Sequence, residues 1–190
     1  MDRSKEAEPF EISGVNFSGP LSYTSRNPNG QLNTTFGGKA YICLFTCAVT
    51  RAVYLELSPN LSAENFVLTL TRFYLRVNRG LSVMYSDNAK TFVRAAKYLK
   101  RLHGNEGVSS FLGDHQTSWE FVASRAPWWN GMWTHGADHQ GLLTPNAKLR
   151  TAIAEVEFAV NSRPLTYIDT EELTPITPLM LVSGRYHSQP

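Results

Sequence analysis

Several groups of residues in this sequence combine charged or reactive side chains with regular spacing. Lys90, Arg94, Lys97 and Arg101 recur at steps of four, three and four, with Lys100 beside them and no acid between Asp87 and Glu106. On a helix that spacing gathers the cations into one stripe, which can hold phosphates in a salt-sensitive, sequence-independent way. Arg72, Arg76 and Arg79 repeat the pattern upstream. A solvated helix face is the plainer reading of both. Trp128, Trp129 and Trp133 crowd into RAPWWNGMW (Arg125–Trp133), where rings can stack on unpaired bases or pack a loop against a sheet. His135 and His139 have the spacing of paired metal ligands on a helix, with Asp138 between them, but Gly136 and Gly141 weaken a helix there and favour a solvated loop. Cys43 and Cys47 fall on one face of a strand and read as buried free thiols of a reducing compartment. Asp87 ends a short apolar run and precedes a helical pattern, a place from which a carboxylate commonly caps a helix.

The elements that must position these groups follow from periodicity. Gly14 to Tyr23 reads as a strand, and Asn27 to Gly38 is dense in turn formers, which fits a hairpin-like excursion. Ala40 to Thr50 and Ala52 to Leu57, rich in β-branched and aromatic residues, read as two more strands, the first buried on both faces. Ser62 is placed to cap a helix whose inner face is Phe66, Leu70, Phe73, Tyr74 and Val77. Leu81 to Ser86 is a short strand leading into Asp87, and Phe92, Ala96, Leu99 and His103 mark the inner face of a second helix. Trp119 to Ala123 reads as a last strand. Leu149, Ile153, Val156 and Val160 line one face of a helix ending near Pro164, since the residue before proline disfavours the α region. Three strands, a helix, a strand, a helix, a strand and more helix predict an α/β domain with a mixed sheet flanked by helices.

Composition bounds the function. With 190 residues, 42% hydrophobic and 18% charged, the chain suits one folded domain with a proper core. The opening MDRSKEAEPF has no apolar run of a secretory leader, and the uncharged stretch Ala40 to Thr50 is about half of the ~20 residues a membrane helix needs. No membrane partner and an intracellular location, nucleus or cytoplasm, are the expectations. A net charge of +2 is too near balance for the whole surface to attract nucleic acid, so any basic footprint is local.

Six segments carry a resemblance. GVNFSGP (Gly14–Pro20), KAYICLFTCAVTRAVYLEL (Lys39–Leu57), YSDNAKTF (Tyr85–Phe92), RAPWWNGMW (Arg125–Trp133), NSRPLTY (Asn161–Tyr167) and LTPITPLMLVSGR (Leu173–Arg185) occur in the order found in integrases of BEL/Pao-type LTR retrotransposons. Over most of residues 9 to 186 the chain resembles the catalytic core of that family. The resemblance implies an RNase H-like mixed five-stranded sheet flanked by helices. It divides the chain into a tail over residues 1–9, a core-like domain over 10–168 and an extension over 169–190 that packs on it. It also implies a site in which three acids hold two Mg2+ or Mn2+ ions for DNA end processing and strand transfer. DNA, bound weakly and without sequence preference through Lys90, Arg94, Lys97, Lys100, Arg101 and Trp129, and a second copy in a homodimer are the implied partners.

The family's acids map unevenly onto this sequence. Asp87 sits where the second is expected, in SDN after a hydrophobic strand. The first position, in GVNFSGP, is Asn16, and the third, after the tryptophan of PWWNGMW, is Thr134. Ala89 and Asn130 replace family glycines, and Gly136, Gly141 and Pro145 interrupt the stretch where a long basic helix is usual. A unit charge 4 Å from another is worth about 4 kcal/mol at an effective dielectric of 20, so each carboxylate lost beside a divalent ion forfeits on the order of twice that before solvation offsets it. Glu11, on the opposite strand face and roughly 16 Å from Asn16, is no replacement, and Asp138 needs a helix that Gly136 disfavours. The expectation is weak or absent metal binding at Asp87 and little or no catalysis. A host-adopted protein-interaction domain and a decaying element copy are the alternatives.

Overall fold

β-branched, aromatic and cysteine side chains dominate the first half of the chain, and they build the antiparallel half of a single sheet. The computed structural model describes residues 7–26, 32–77, 80–102, 117–122, 146–165 and 175–184. Strand β1 (Ile12–Arg26) pairs antiparallel with β2 (Leu32–Cys47), and β2 pairs antiparallel with β3 (Val53–Ser58). On its other side β1 takes β4 (Val83–Ser86) in parallel, and β4 takes β5 (Ser118–Phe121) in parallel, giving the order β3-β2-β1-β4-β5. Parallel neighbours require crossovers. Helix α1 (Ala63–Val77) lies between β3 and β4, and α2 (Lys90–Leu102) between β4 and β5 in sequence; α3 (Asn146–Asn161) and the short α4 (Pro178–Ser183) follow.

Alternation along the strands divides the core in two. One face carries Val15, Phe17, Cys43, Phe45, Tyr54 and Met84, packed under Phe66, Leu70 and Phe73 of α1 and Phe92 and Ala95 of α2. Phe45 and Phe73 stack with ring centroids 4.1 Å apart, and Phe10 meets Phe73 edge-on at 5.5 Å. The Ser62 hydroxyl caps α1 by accepting from the Asn65 N–H at 3.2 Å. The other face holds a smaller aliphatic cluster, Ala40, Leu44, Val53, Leu55, Leu57 and Ile153, beneath α3. Both cysteines are free and buried, as their spacing foretold, and burial pushes the Cys43 thiol up. Cys47 Sγ accepts from the Phe10 and Thr50 N–H groups at 3.1 and 3.3 Å.

Four sequence expectations shift. β2 begins at Leu32, inside the stretch predicted as turn, because pairing with β1 overrides the weak strand preference of NTTFGG. Tyr23 lies over Gly38 so closely that a Cβ there would meet its ring at 2.4 Å. The second helix's inner contacts include Ala95, which is fully buried, while His103 lies outside the described residues. The last strand runs Ser118–Phe121, one residue ahead of the predicted start, and Ala123 is outside the described residues. On α3, Ile153 is buried with Leu149 and Val160 beside it, but Val156 is exposed and Glu157 takes the inner place.

The reason for that rotation is the sheet edge. β3 is an edge strand, and its outward backbone groups need partners. Asn161, 8% exposed, accepts from Val53 N–H and donates to Val53 C=O, both at 2.8 Å, and Glu157 accepts from Leu55 N–H at 2.7 Å. α3 therefore turns a carboxylate and a carboxamide, rather than Val156, toward the strand. Arg72 of α1 pairs with Glu56 at 2.9 Å, and Arg76 pairs with Glu157 at 3.5 Å and lies 5.2 Å over the Tyr54 ring. These arginines link α1 around the edge to β3 and α3, so they are not the free second stripe that their spacing suggested; Arg79 is outside the described residues.

Candidate functional site

The rim where β4 ends is where the sequence placed its chemistry. β1 and β4 are parallel, with Ile12, Ser13 and Gly14 opposite Val83, Met84 and Tyr85. Continued by two residues, the same register sets Asn16 opposite Asp87, on strands about 4.8 Å apart. Alternation fixes their face. Val15 and Phe17 point to the aromatic cluster, so Asn16 points the other way, toward the α3 side, where its β2 partner Leu44 lies. Asn16 and Asp87, 71 residues apart in sequence, thus lie where the continued register would bring them to one rim.

Their chemistry is that of one carboxylate and one carboxamide. Asp87 is exposed, and its Oδ1 accepts from the Ala89 N–H at 3.0 Å, just before α2 begins. This is the helix-starting role a strand-end acid commonly takes. Asn16 Oδ1 accepts from the Phe17 N–H at 2.8 Å. Among the described residues no three His, Cys, Asp or Glu side chains are grouped to hold a metal ion. A magnesium ion displaces its waters chiefly for carboxylates and phosphates, so this donor set does not fit a two-metal centre. Thr134 and the His135, Asp138, His139 trio lie outside the described residues. Glu11, weighed as a stand-in, is committed elsewhere: its carboxylate accepts from Glu8 N–H at 2.9 Å and Ser82 Oγ at 3.1 Å.

Helix α2 starts at this rim and runs back over the aromatic face, since a crossover between parallel strands lies antiparallel to them. Phe92 fixes its rotation by stacking on Phe17 at 5.3 Å. That leaves Lys90, Arg94, Lys97, Lys100 and Arg101 exposed. None of the five pairs within 4.0 Å with a carboxylate among the described residues. The nearest acid influence is Glu64 of α1, whose carboxyl is held below its usual range by hydrogen bonds to its own backbone and Ser62 and, to a lesser degree, by the Arg94 charge. The stripe spans eleven residue steps, about 16 Å of helix. Trp129, the aromatic candidate, is outside the described residues. Trp119, which the sequence reading used only as a strand residue, packs on Phe66 and Phe92 and donates from Nε1 to Ser86 Oγ at 2.8 Å, which braces the strand end next to Asp87.

In sequence, no protein-family model matches the chain and no curated protein matches it. Among solved structures the fold has clear counterparts. A chain of the simian T-cell lymphotropic virus intasome, determined by cryo-EM in complex with the PP2A regulatory subunit B56 gamma, aligns with a TM-score of 0.56 at 9% identity, over 94% of this chain and 56% of that one. This chain therefore spans little more than half of that relative. The HTLV-2 integrase catalytic core domain in complex with magnesium aligns in its dimeric form with a TM-score of 0.51 at 9% identity, over 94% of this chain and 98% of that one. Its trimeric form gives 0.50 at 9% identity, over 93% and 99%. The likeness establishes the fold, a mixed five-stranded sheet flanked by helices of the RNase H-like, integrase-core kind.

Proposed function

We propose that this chain is an integrase-core-like domain of BEL/Pao retrotransposon descent that holds DNA by its phosphates along α2 and has lost most or all metal-dependent strand transfer. The observation that carries this reading is the rim pair. The β1–β4 register, continued past Gly14↔Tyr85, would set Asn16 against Asp87 where the family would need an acid pair, and these two residues supply one negative charge. A divalent ion, Mg2+ or Mn2+, would meet a single carboxylate, Asp87, from this pair. Binding is the property that remains. α2 presents five basic residues without a carboxylate partner among the described residues, and phosphate contacts of this kind need no base readout.

The test is a strand-cleavage and joining assay on a branched DNA substrate in manganese, with the unaltered chain, Asp87→Ala, and the double variant Asn16→Asp, Thr134→Glu. Silence from the unaltered chain and activity from the double variant are expected. Activity in the unaltered chain that vanishes with Asp87→Ala would overturn the loss of catalysis.

One observation favours a second reading, a host-adopted protein-interaction domain. Leu68 and Leu75, seven apart on α1, are 56% and 59% exposed, and Phe158 of α3 is 63% exposed. A stable hetero-complex from a chain with no salt-dependent DNA affinity would favour it.

A further inference from the structure

Helices α1 and α2 lie side by side on the aromatic face and point the same way. Each is the crossover between parallel strands, so both start at the rim where β3 and β4 end and run back over the sheet. At that rim the Thr91 hydroxyl donates to the Leu61 C=O, which ties the two N-terminal ends together. Beneath them Phe66 meets Phe92 edge-on at 5.0 Å. The helices touch through these rings, and the surface between them is a groove.

Helical spacing gives the residues that border it. Glu64 feels the Arg94 charge, so Glu64 of α1 and Arg94 of α2 lie near each other. Leu68, Thr71 and Leu75 follow Glu64 at steps of four, three and four. On α2, Arg94, Tyr98 and Arg101 follow Thr91 at steps of three, four and three. The two rows run side by side for about 16 Å of helix. Leu68, Leu75 and Tyr98 are 56%, 59% and 51% exposed. A single exposed apolar side chain is ordinary, but three that border one groove give a partner's apolar side a place to lie. The α2 flank is basic. Glu64 offsets Arg94 at the rim end, whereas Arg101 at the far end meets no carboxylate within 4.0 Å among the described residues.

We propose that the α1–α2 groove docks one amphipathic helix of a partner protein, its apolar side toward Leu68, Leu75 and Tyr98 and its acidic flank toward Arg94 and Arg101. This rests on the protein-interaction reading, to which it gives a partner class, and it is independent of DNA binding. Spacing selects a helix: two parallel rows at i, i+3, i+4 and i+7 accept the ridge of a third helix between them. Charge selects an acidic one. A second copy of this chain matches less well, since α2 and the Arg72–Arg76 side of α1 are themselves basic.

The probes are synthetic peptides of about sixteen residues, near the length at which a helix can hold. One set has leucine at i, i+3, i+4 and i+7 with glutamate on the flanks, and a scrambled peptide of the same composition is the control. Fluorescence anisotropy of the labelled peptides is followed on titration with the purified full chain and four variants: Leu68→Ala with Leu75→Ala, Tyr98→Ala, Arg101→Gln, and Phe158→Ala away from the groove. The patterned peptides should bind, about tenfold or more weakly to the leucine pair and to Tyr98→Ala. Arg101→Gln should weaken binding more at low salt than at high salt, and Phe158→Ala should leave it unchanged. Alanine keeps helix propensity and every site is exposed, so the melting temperatures should stay near that of the native chain. Equal binding of patterned and scrambled peptides would mean charge attraction alone and would overturn the groove, as would no binding by any peptide. Loss of binding in Phe158→Ala, with the leucine pair unaffected, would put the partner on α3; the groove would fall and the protein-interaction reading would stand. A leucine pair that melts well below the native chain, or that dissolves a dimer in sedimentation, with no peptide bound to either protein, would mean that the chain itself or a second copy covers the leucines, which also overturns it. The expected peptide results from a chain without DNA affinity would support the groove and remove the DNA reading alone.

Discussion

Asn161 is the residue on which the sheet edge depends most. Its amide satisfies both the N–H and the C=O of Val53, and with alanine there those buried groups lose their partner. An unsatisfied buried backbone group costs about 1–3 kcal/mol. Asn161→Ala is expected to lower the urea midpoint by a corresponding amount with the m-value unchanged, which equilibrium unfolding measures directly. Glu157, on the same helix, gives a pH signature. Burial pushes its carboxyl up from the ordinary 4.5, against the Leu55 N–H and Arg76 that pull it down, while Glu56 adds to the rise. A raised folded-state value means that the protonated form is favoured on folding. The stabilisation is full below the unfolded value and is lost as pH rises through the folded one. Against Glu157→Gln, which does not titrate, the native chain should therefore lose relative stability as pH rises just above 4.5; a difference flat in pH would refute this.

At the scale of elements, α1 and α2 do different work with similar sequences. Both carry basic residues at helical spacing, but Arg72 and Arg76 are tied to Glu56 and Glu157, whereas the α2 cations meet no carboxylate within 4.0 Å among the described residues. Reversing Lys90, Arg94 and Lys97 to glutamate is expected to weaken duplex binding and to reduce its log–log salt slope by about 2.7, at about 0.9 per contact. The same three changes on an exposed face should leave thermal stability nearly unaltered. The packing side of α1 behaves oppositely. Phe73 is fully buried between Phe45, Phe10 and Tyr54, so Phe73→Ala is expected to cost about 3–5 kcal/mol in denaturant unfolding.

For the whole molecule, the proposed loss of strand transfer turns on the charge of the rim and not on the architecture. The fold is like that of integrase cores, and the β1–β4 register, continued past Gly14↔Tyr85, would set Asn16 against Asp87, a neutral group against a carboxylate. Restoring the charge should show this without any catalysis. Asn16→Asp puts two carboxylates on adjacent strands, which costs from about 1 kcal/mol at the dielectric of bulk water to about 4 kcal/mol at an effective dielectric of 20 when no cation is present. Manganese should then raise the melting temperature of Asn16→Asp more than that of the native chain, by about 2–4 °C for each kcal/mol of binding. Equal shifts in both proteins would mean that the rim pair is not a latent ligand pair. No helix among the described residues is long and apolar enough to cross a membrane.

The sequence by itself determined the strand and helix order, the inner face of α1, the free buried cysteines, the position of Asp87 at a strand end and the basic stripe that follows it. These are local properties: side-chain period, capping chemistry and charge spacing are written within one element or across one turn. It did not disclose the parallel β1–β4 register that runs toward Asn16 and Asp87, nor that Arg72 and Arg76 are neutralised, because pairing between strands and ion pairs between elements depend on residues far apart in the chain. The tertiary structure alone decided the inward turn of Glu157 in place of Val156, since the partner is an edge strand's backbone, which no hydrophobic period encodes. It also decided the reach of the β1–β2 ribbon, where pairing carried the strand through residues that read as a turn. Periodicity reports what a residue prefers beside its neighbours in sequence; the sheet edge and the strand pairing depend on what lies beside it in space.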